Sequence, residues 1–306
     1  MWKVAGRWRV WSRSLVVGAV VLGGVLSGNA WRSWDGSGDA ADHSAAHASA
    51  ATAASAATPP GERAKSWTVP PQSAFPTPFN DPDSCVIDEK SGVPLCWKAD
   101  AKLFPDYWLT KEIGARASNL ALRERKRALR LVTFALRRYP PVMLHAHLNA
   151  IYLVGSLRFS GISAGGTNSL DRVYMHDEGV KKGYTDAFLT RTFHHEFSSV
   201  LLRLRSDLWD DTAWRACNAP GFRYGTNGTE AVREQKASCK PDAKLMALGC
   251  LNQYATASPE EDFNEMVEVV MCATPRERAN FARFPRLERK AQLVRAFYTK
   301  LGMRFD

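Results

Sequence analysis

The segment from Asp35 to about Asp83 limits any fold of this chain, because its composition cannot support a hydrophobic core. It reads DGSGDAADHSAAHASAATAASAATPPGERAK and ends in VPPQSAFPTPFNDPD, so alanine and serine dominate first and proline later. Such segments bury too little apolar surface to offset the entropy of ordering. We therefore predict a disordered tether over residues 31–84 and one folded domain over residues 85–306, about 220 residues with room for one sizeable core.

The first thirty residues have the layout of an export signal. Basic residues between positions 3 and 13 precede the uncharged run from Leu15 to Leu26, and Gly28 and Ala30 supply the small residues of a cleavage site. The apolar run is shorter than the ~20 residues that cross a bilayer comfortably. Residues 1–30 are therefore predicted to be a signal peptide or, alternatively, an uncleaved N-terminal anchor. Either way the folded part is expected outside the cytoplasm: periplasmic, extracellular or membrane-anchored.

All six cysteines lie in the predicted folded part, at positions 85, 96, 217, 239, 250 and 272. An even number of cysteines after an export signal indicates disulfides. Sequence order suggests the pairs Cys85–Cys96, Cys217–Cys239 and Cys250–Cys272, although six cysteines permit 15 pairings. A structural zinc site is the rival interpretation, but no pair has Cys-x-x-Cys spacing.

The formal charge of +10 is concentrated between Arg123 and Arg138, where apolar residues alternate with basic ones at helical spacing. This pattern predicts an amphipathic helix from about Ala115 to Arg138 with a solvated basic face. No nucleic-acid-binding module is recognisable, so nucleic acid is excluded as a partner. Contact with anionic surfaces remains open, as does membrane attachment through the N-terminal segment.

Local patterns predict the α+β class, with a small sheet that contains antiparallel pairs. AIYLVGSLRF and RVYMHD have strand composition, and the glycine-rich loop SGISAGGTNSLD between them suggests a hairpin-like connection. MLHAHLN, with His145 and His147, is also expected to be a strand. Helices are expected over 185–204, after Ser258 and Thr274 as capping residues, and over 286–301, whereas residues 205–245 look mostly irregular.

The helix over 185–204 carries a fragment of a zinc-site motif. Two histidines four residues apart on a helix can share one zinc ion, with the glutamate after the first histidine acting as a base. His195-Glu196 supplies the first half, but the position four residues on is Ser199, and the partner position of His194 is a serine too. Serine is a poor zinc ligand. Taken alone, the fragment is typical of a structural histidine.

The helix after Ser258 carries a dense acidic strip that includes Glu261 and Glu265. Capping and solvation explain these carboxylates without any metal. In the functional alternative, Glu261 is a further metal ligand, and Glu265 supports a ligand imidazole without contacting the metal itself. Tyr254 lies one short loop earlier, where its hydroxyl could reach a developing oxyanion.

Together, the segments AIYLVGSLRFSGISAGGT, RVYMHD, FHHEFSSVL and EDFNEMVEVVM resemble the bacterial zinc-binding metallopeptidases, which carry His-Glu-Phe-x-His followed by Glu-Asp-Phe-Ala-Glu. The resemblance runs from about Cys96 to the C-terminus and extends, more faintly, to the lethal-factor-like gluzincins, in which a tyrosine stands seven residues before the ligand glutamate. It implies a zincin-like metallopeptidase fold, a zinc cofactor and a peptide or protein substrate. It also implies that His195 and Glu261 are zinc ligands, that Glu196 is the general base and that Tyr254 stabilises the transition state.

Ser199 departs from this pattern because it occupies the position of the second histidine ligand. Three explanations stay open: a pseudoenzyme that keeps the fold without the metal, a site that recruits His194 or His176 as the missing ligand, or a site completed by water or by weak binding through Ser199. The function expected is therefore an exported zinc-dependent peptidase. The alternative is an inactive relative that acts as a binding or scaffold protein in the periplasm or at the cell surface.

Overall fold

A computed structural model describes residues 83–100, 103–225 and 238–305 of the chain. The predicted signal or anchor over residues 1–30 and almost all of the predicted tether lie outside these residues. Within them, no helix combines the length and the apolar character that crossing a bilayer requires.

Seven described strands form one mixed sheet around a long central strand. They are β1 (Cys85–Ile87), β2 (Pro94–Cys96), β3 (Arg116–Asn119), β4 (Ala150–Phe159), β5 (Ile162–Ser163), β6 (Gly166–Asn168) and β7 (Arg172–His176). The order is β1-β2-β4-β7-β6, with β3 and β5 also paired to β4. Strand β4 runs parallel to β2 and β7, whereas the remaining pairs are antiparallel.

The hairpin expected between AIYLVGSLRF and RVYMHD is wrong, because β4 and β7 pair in parallel, with Ile151 opposite Val173. The glycine-rich connection is not a simple loop. It contains β5, which pairs antiparallel with β4, and β6, which pairs antiparallel with β7. The chain thus reverses twice between the two long strands, and two reversals leave them pointing the same way.

Eight α-helices of the described residues complete the fold: α1 (Leu122–Leu136), α2 (Pro141–His147), α3 (Asp186–Leu204), α4 (Asp211–Ala216), α5 (Ala243–Leu248), α6 (Pro259–Cys272), α7 (Pro275–Arg283) and α8 (Pro285–Lys300).

The predictions for α3, α6 and α8 are confirmed to within one or two residues. The helix expected from Ala115 starts later, because residues 116–119 form β3 against β4. The strand expected around His145 and His147 is the helix α2, which begins at Pro141. The stretch 205–245, expected to be irregular, includes α4 and the start of α5.

The sheet separates two apolar cores, as the alternation of strand side chains requires. Ile151 and Leu153 of β4 belong to the larger core, which the helices α1, α3, α6 and α8 cover. Tyr152 and Val154 face the opposite side, where Trp108 is among the aromatic rings that fill a smaller core. Strand β4 is therefore buried on both faces, which explains its nearly continuous apolar sequence.

One of the three predicted disulfides is present. Cys85 and Cys96 are bonded across the β1–β2 pair, and such a bond indicates an oxidising environment. The pairings Cys217–Cys239 and Cys250–Cys272 are wrong, since all four of these cysteines are free thiols. Cys85 and Cys96 come together because one short antiparallel turn joins their strands.

Candidate metal and catalytic site

The site is built where helix α3 crosses helix α6. Thr185 caps the start of α3 by accepting a hydrogen bond from the backbone N–H of Phe188 at 3.1 Å. Every residue of α3 from Thr192 to Leu201 is buried, because the helix lies between the sheet, α1 and α6. Polar side chains in this stretch must therefore find partners inside the protein.

His195 lies among the carboxylates of α6. Its Nδ1 donates a hydrogen bond to Glu268 Oε1 at 2.8 Å and lies 3.8 Å from Glu265 Oε1. Its Nε2 lies 3.3 Å from Glu261 Oε2 but is not aligned for a hydrogen bond with it. Burial alone would lower the pKa of His195, but Glu261 and Glu268 outweigh it and raise that pKa well above its ordinary value.

Three buried polar atoms in this pocket have no hydrogen-bond partner: His195 Nε2, Glu261 Oε2 and the hydroxyl of Tyr254. The exposed fractions of the three residues are 6%, 5% and 3%. The rings of His195 and Tyr254 are 6.1 Å apart between centroids, and the pKa of Tyr254 is raised by burial and then by Glu261. Unpartnered buried polar groups are rare in proteins and need an explanation, and a bound ion is one.

Glu196, the residue after His195, points to strand β6. Its Oε2 accepts a hydrogen bond from Asn168 Nδ2 at 2.8 Å, and Asn168 Oδ1 in turn accepts one from Arg203 at 2.5 Å. Burial raises the pKa of Glu196 to about 8, although His195 and Asn168 act against it. A Cβ atom at Gly166 would lie 2.8 Å from Glu196 Oε1, so the carboxylate fits only because residue 166 is a glycine.

The pocket carries an excess of acidic groups. Glu196, Glu261, Glu265 and Glu268 interact with the single imidazole of His195. Burial, and next the charge of Glu268, raises the pKa of Glu265 to about 8. The guanidinium of Arg191 interacts with Glu268 but is already paired with Glu277 at 2.7 Å. A divalent cation would stabilise the ionised form of these carboxylates, so the residues present fit a metal ion.

Two positions around His195 could receive that ion. Ligand atoms of His195, Glu265 and Glu268 lie within 4.8 Å of one another, which favours the Nδ1 side. However, Nδ1 already donates to Glu268, and Glu265 Oε2 already accepts from Asn252 at 2.6 Å. On the other side, Nε2 lies 3.3 Å from Glu261 Oε2, and neither atom makes a hydrogen bond. The space beside Nε2, called the metal position below, is therefore the less obstructed of the two, and Glu268 orients the imidazole from the opposite side.

The position of the missing second histidine is closed by hydrogen bonds. Ser199 Oγ accepts from Asn264 Nδ2 at 2.7 Å, and Asn264 Oδ1 accepts from Ser198 Oγ at 2.5 Å. Ser198, Ser199 and Asn264 are fully buried. Because the side-chain amide of Asn264 already donates a hydrogen bond to the hydroxyl oxygen of Ser199, this oxygen is not free to bind a metal.

The structure does not bring the two candidate replacement histidines to the pocket. His194 Nδ1 lies 2.6 Å from the hydroxyl of Tyr139, and burial lowers the pKa of His194 to about 3. As a neighbour of His195 on a helix, it points to a different side of α3. His176 lies at the end of β7, where its ring nitrogens contact Tyr184 and Glu178. Both histidines therefore have hydrogen-bond partners away from His195, and the recruitment of either one stays a prediction.

Sequence reasoning also misassigned part of the support around His195. Glu265 was expected to support the imidazole, but Glu268 makes that hydrogen bond, while Glu265 pairs with Asn252. The prediction that Ser258 caps α6 is confirmed, but the carboxylate of Glu261 lies beside His195 rather than completing a capping box. Asn168 was missed because it belongs to a short strand with no motif.

Comparison with known proteins adds little. No family model matches the chain, and no curated protein matches it. Among solved structures, a protein of Bacteroides caccae named "putative zinc-binding metallo-peptidase" is similar at 15% identity and a TM-score of 0.41, over 58% of this chain and 69% of that chain. A similarity of this size supports no conclusion about chemistry, so the function must be argued from the pocket itself.

Proposed function

We propose that the protein is a metal-dependent hydrolase of the metallopeptidase type, which holds a zinc ion at His195 Nε2 and Glu261 and cleaves peptide bonds. One observation carries the proposal: three buried polar atoms that make no hydrogen bond belong to neighbouring side chains, those of His195, Glu261 and Tyr254, among an excess of carboxylates that includes Glu196. The peptide bond as substrate comes from the resemblance of the motifs alone. The Cys85–Cys96 disulfide and the N-terminal signal pattern support activity outside the cytoplasm.

Each residue has a separate task in this proposal. Glu268 fixes the imidazole by accepting the Nδ1 proton, so that the Nε2 lone pair points into the pocket. A bound zinc ion acts as a Lewis acid and brings the pKa of a water close to neutrality. Glu196 accepts the proton of the attacking water and delivers it to the leaving nitrogen. Asn168 holds one oxygen of Glu196 and so fixes the direction of the other.

The test measures metal content and hydrolysis in the same purified protein. We expect about one zinc ion per chain and cleavage of an unstructured protein substrate such as casein. Glu196→Gln should keep the metal and lower cleavage by at least about 100-fold, because general-base catalysis contributes 10²–10⁴-fold. Glu288→Gln, a change on the outer face of α8, is the matched control and should leave both unchanged. Wild-type protein that binds no zinc would exclude the proposal.

A second candidate function is that of an inactive binding protein, and the hydrogen bonds of Asn264 with Ser198 and Ser199 favour it. The two candidates separate in the variant Ser199→His/Asn264→Ala, which offers a second imidazole and removes the amide that blocks it. Zinc binding in this variant, combined with none in the wild type, would identify an inactive relative. Zinc binding in both would favour the hydrolase.

A further inference from the structure

A catalytic zinc site normally uses three protein ligands plus water, and the proposed function supplies only two. We propose that the hydroxyl oxygen of Tyr254 is the third protein ligand. The inference rests on the proposed function, because it concerns the same metal position. It changes the role of Tyr254 from a group that contacts the substrate to a group that holds the metal.

The backbone around Tyr254 is held rigidly. The N–H of Tyr254 donates to the carbonyl of Ser238 at 3.2 Å, and Asn252 Oδ1 accepts from the N–H of Ala255 at 2.8 Å. Asn252 also donates to Glu265 on α6, which ties this turn to the helix that carries Glu261. The ring is thus fixed beside the metal position rather than free to swing to the surface.

The hydroxyl of Tyr254 is the feature that points to a ligand. A buried tyrosine hydroxyl usually finds a hydrogen-bond partner, but those of Tyr254 and Tyr298 have none, and the ring of Tyr254 lies 6.1 Å from that of His195 between centroids. Two other buried atoms that make no hydrogen bond, His195 Nε2 and Glu261 Oε2, lie 3.3 Å from each other. Three such atoms on three side chains correspond to the three protein ligands that a catalytic site needs.

Other groups near the pocket fit the third position less well. Ser199 accepts a hydrogen bond from Asn264, which occupies it. Cys239 is a free thiol and is the rival ligand that the experiment below includes as a variant. Tyr254 is favoured over it because the tyrosine ring lies 6.1 Å from the ring of His195 between centroids and its buried hydroxyl makes no hydrogen bond.

This ligand set has a chemical consequence. A neutral imidazole, one carboxylate and one phenolate carry two negative charges, which balance a divalent cation, and binding releases the phenol proton to solvent. Two oxygens and one nitrogen form a harder donor set than two imidazoles and one carboxylate. The site should therefore tolerate metals that prefer oxygen, such as manganese, better than a site with two histidines would.

The experiment uses copper(II) as a spectroscopic probe and zinc for affinity, both on the full chain. A phenolate bound to copper(II) gives a visible charge-transfer band, which we expect in the wild type and not in Tyr254→Phe. Zinc affinity should fall by more than the about 10–100-fold that loss of a supporting group costs. Without metal, Tyr254→Phe should be no less stable than the wild type, because the removed hydroxyl has no partner to lose.

Two control variants make the result specific. Tyr298→Phe changes another fully buried tyrosine, which lies beside Tyr139, and should leave band and affinity unchanged. Cys239→Ser should also leave both unchanged. Wild-type zinc affinity in Tyr254→Phe, or a copper band that persists there and vanishes in Cys239→Ser, would overturn the inference and leave the proposed function standing. Wild-type protein that binds no metal would instead overturn the proposed function, and this inference with it.

Discussion

Helix α6 carries two neighbouring acidic residues that meet opposite surroundings. The Oδ2 atom of Asp262 accepts hydrogen bonds from Trp214 at 3.0 Å, from Tyr224 at 2.5 Å and from the ammonium group of Lys290. Glu261, one residue earlier, lies beside His195: its Oε2 is 3.3 Å from His195 Nε2 and, like Asp262 Oδ1, makes no hydrogen bond. Both side chains are buried, so the difference lies in the partners and not in exposure to water.

The comparison teaches how this protein handles buried charge. Around Asp262, one carboxylate meets one ammonium group, and Lys290 also donates to Asn218 and to the carbonyl of Gly249. Around His195, four carboxylates meet one imidazole. The first cluster neutralises itself and joins α6 to α8. The second, the incomplete cluster, holds more carboxylates than cationic groups, which is why we propose a cation there.

The largest effect should come from breaking the neutral cluster. Lys290→Met leaves the carboxylate of Asp262 buried without its counter-charge, which should lower the free energy of unfolding by about 3–5 kcal/mol. Urea denaturation followed by circular dichroism measures this. The control Arg295→Met breaks an ion pair with Glu288 that solvent reaches, and should cost about 1 kcal/mol or less. Equal effects of the two variants would contradict the distinction between the clusters.

Binding of zinc to the incomplete cluster around His195 should have the next largest effect. Zinc at about 100 times its dissociation constant should raise the free energy of unfolding by about 2.7 kcal/mol, and a chelator should reverse the gain. Thermal unfolding with and without zinc measures the shift. The variant His195→Ala should lose the response to zinc, whereas Arg295→Met should keep it. A shift that survives in His195→Ala would place the metal elsewhere.

A smaller effect is expected from placing a methyl group at position 166, next to the carboxylate of Glu196. In Gly166→Ala the new methyl group would lie 2.5 Å from Thr192 and 2.8 Å from Glu196 Oε1, so α3 and β6 must move apart. Overpacking of this kind costs about 1–3 kcal/mol of unfolding free energy, and hydrolysis should fall as Glu196 is displaced. The control Gly225→Ala, where the nearest atom is 3.5 Å away, should change neither. Normal hydrolysis in Gly166→Ala would show that Glu196 needs no exact placement.

The smallest effect calibrates both clusters with a buried carboxylate, Asp88, whose arginine partner is partly exposed. Asp88 accepts hydrogen bonds from Ser91 and Arg137. Burial acts to raise the pKa of Asp88, but these partners outweigh it and lower that pKa from 3.8 to about 2. Because the folded-state pKa is the lower one, this stabilisation is present above pH 3.8 and is lost as the pH falls toward about 2. Asp88→Asn should remove about 1 kcal/mol at neutral pH and flatten the acid side of the stability profile.

The sequence predicted best those elements that short-range signals define. Ser258 and Thr274 start α6 and α7 as capping residues, and Thr274 forms a complete capping box with Glu277. The parallel pairing of β4 and β7 escaped prediction, because register between distant strands depends on where the intervening chain goes. Composition could not reveal that two short strands lie inside the glycine-rich connection.

The site was predictable in its parts and less so in its arrangement. The sequence singled out His195, Glu196, Tyr254 and Glu261, and in the structure the other three lie near His195: Glu261 at 3.3 Å, Tyr254 at 6.1 Å between ring centroids, and Glu196 through its charge. It could not choose between Glu265 and Glu268 as the partner of Nδ1, because both lie on the face of α6 toward α3 and only the crossing of the helices decides. Likewise, no sequence pattern predicted the hydrogen bond that Asn264 donates to Ser199.

The contact between Ser199 and Asn264 limits which substitutions the sequence tolerates at these two positions. Asn264 Nδ2 and Ser199 Oγ lie 2.7 Å apart and both side chains are fully buried, so a change at one position alters the surroundings of the other. Histidine at position 199 alone would collide with the amide of Asn264, and alanine at position 264 alone would leave two buried serine hydroxyls with fewer partners. Either single substitution would therefore lower the stability of the protein. In an alignment of related chains, these positions should therefore covary as a pair.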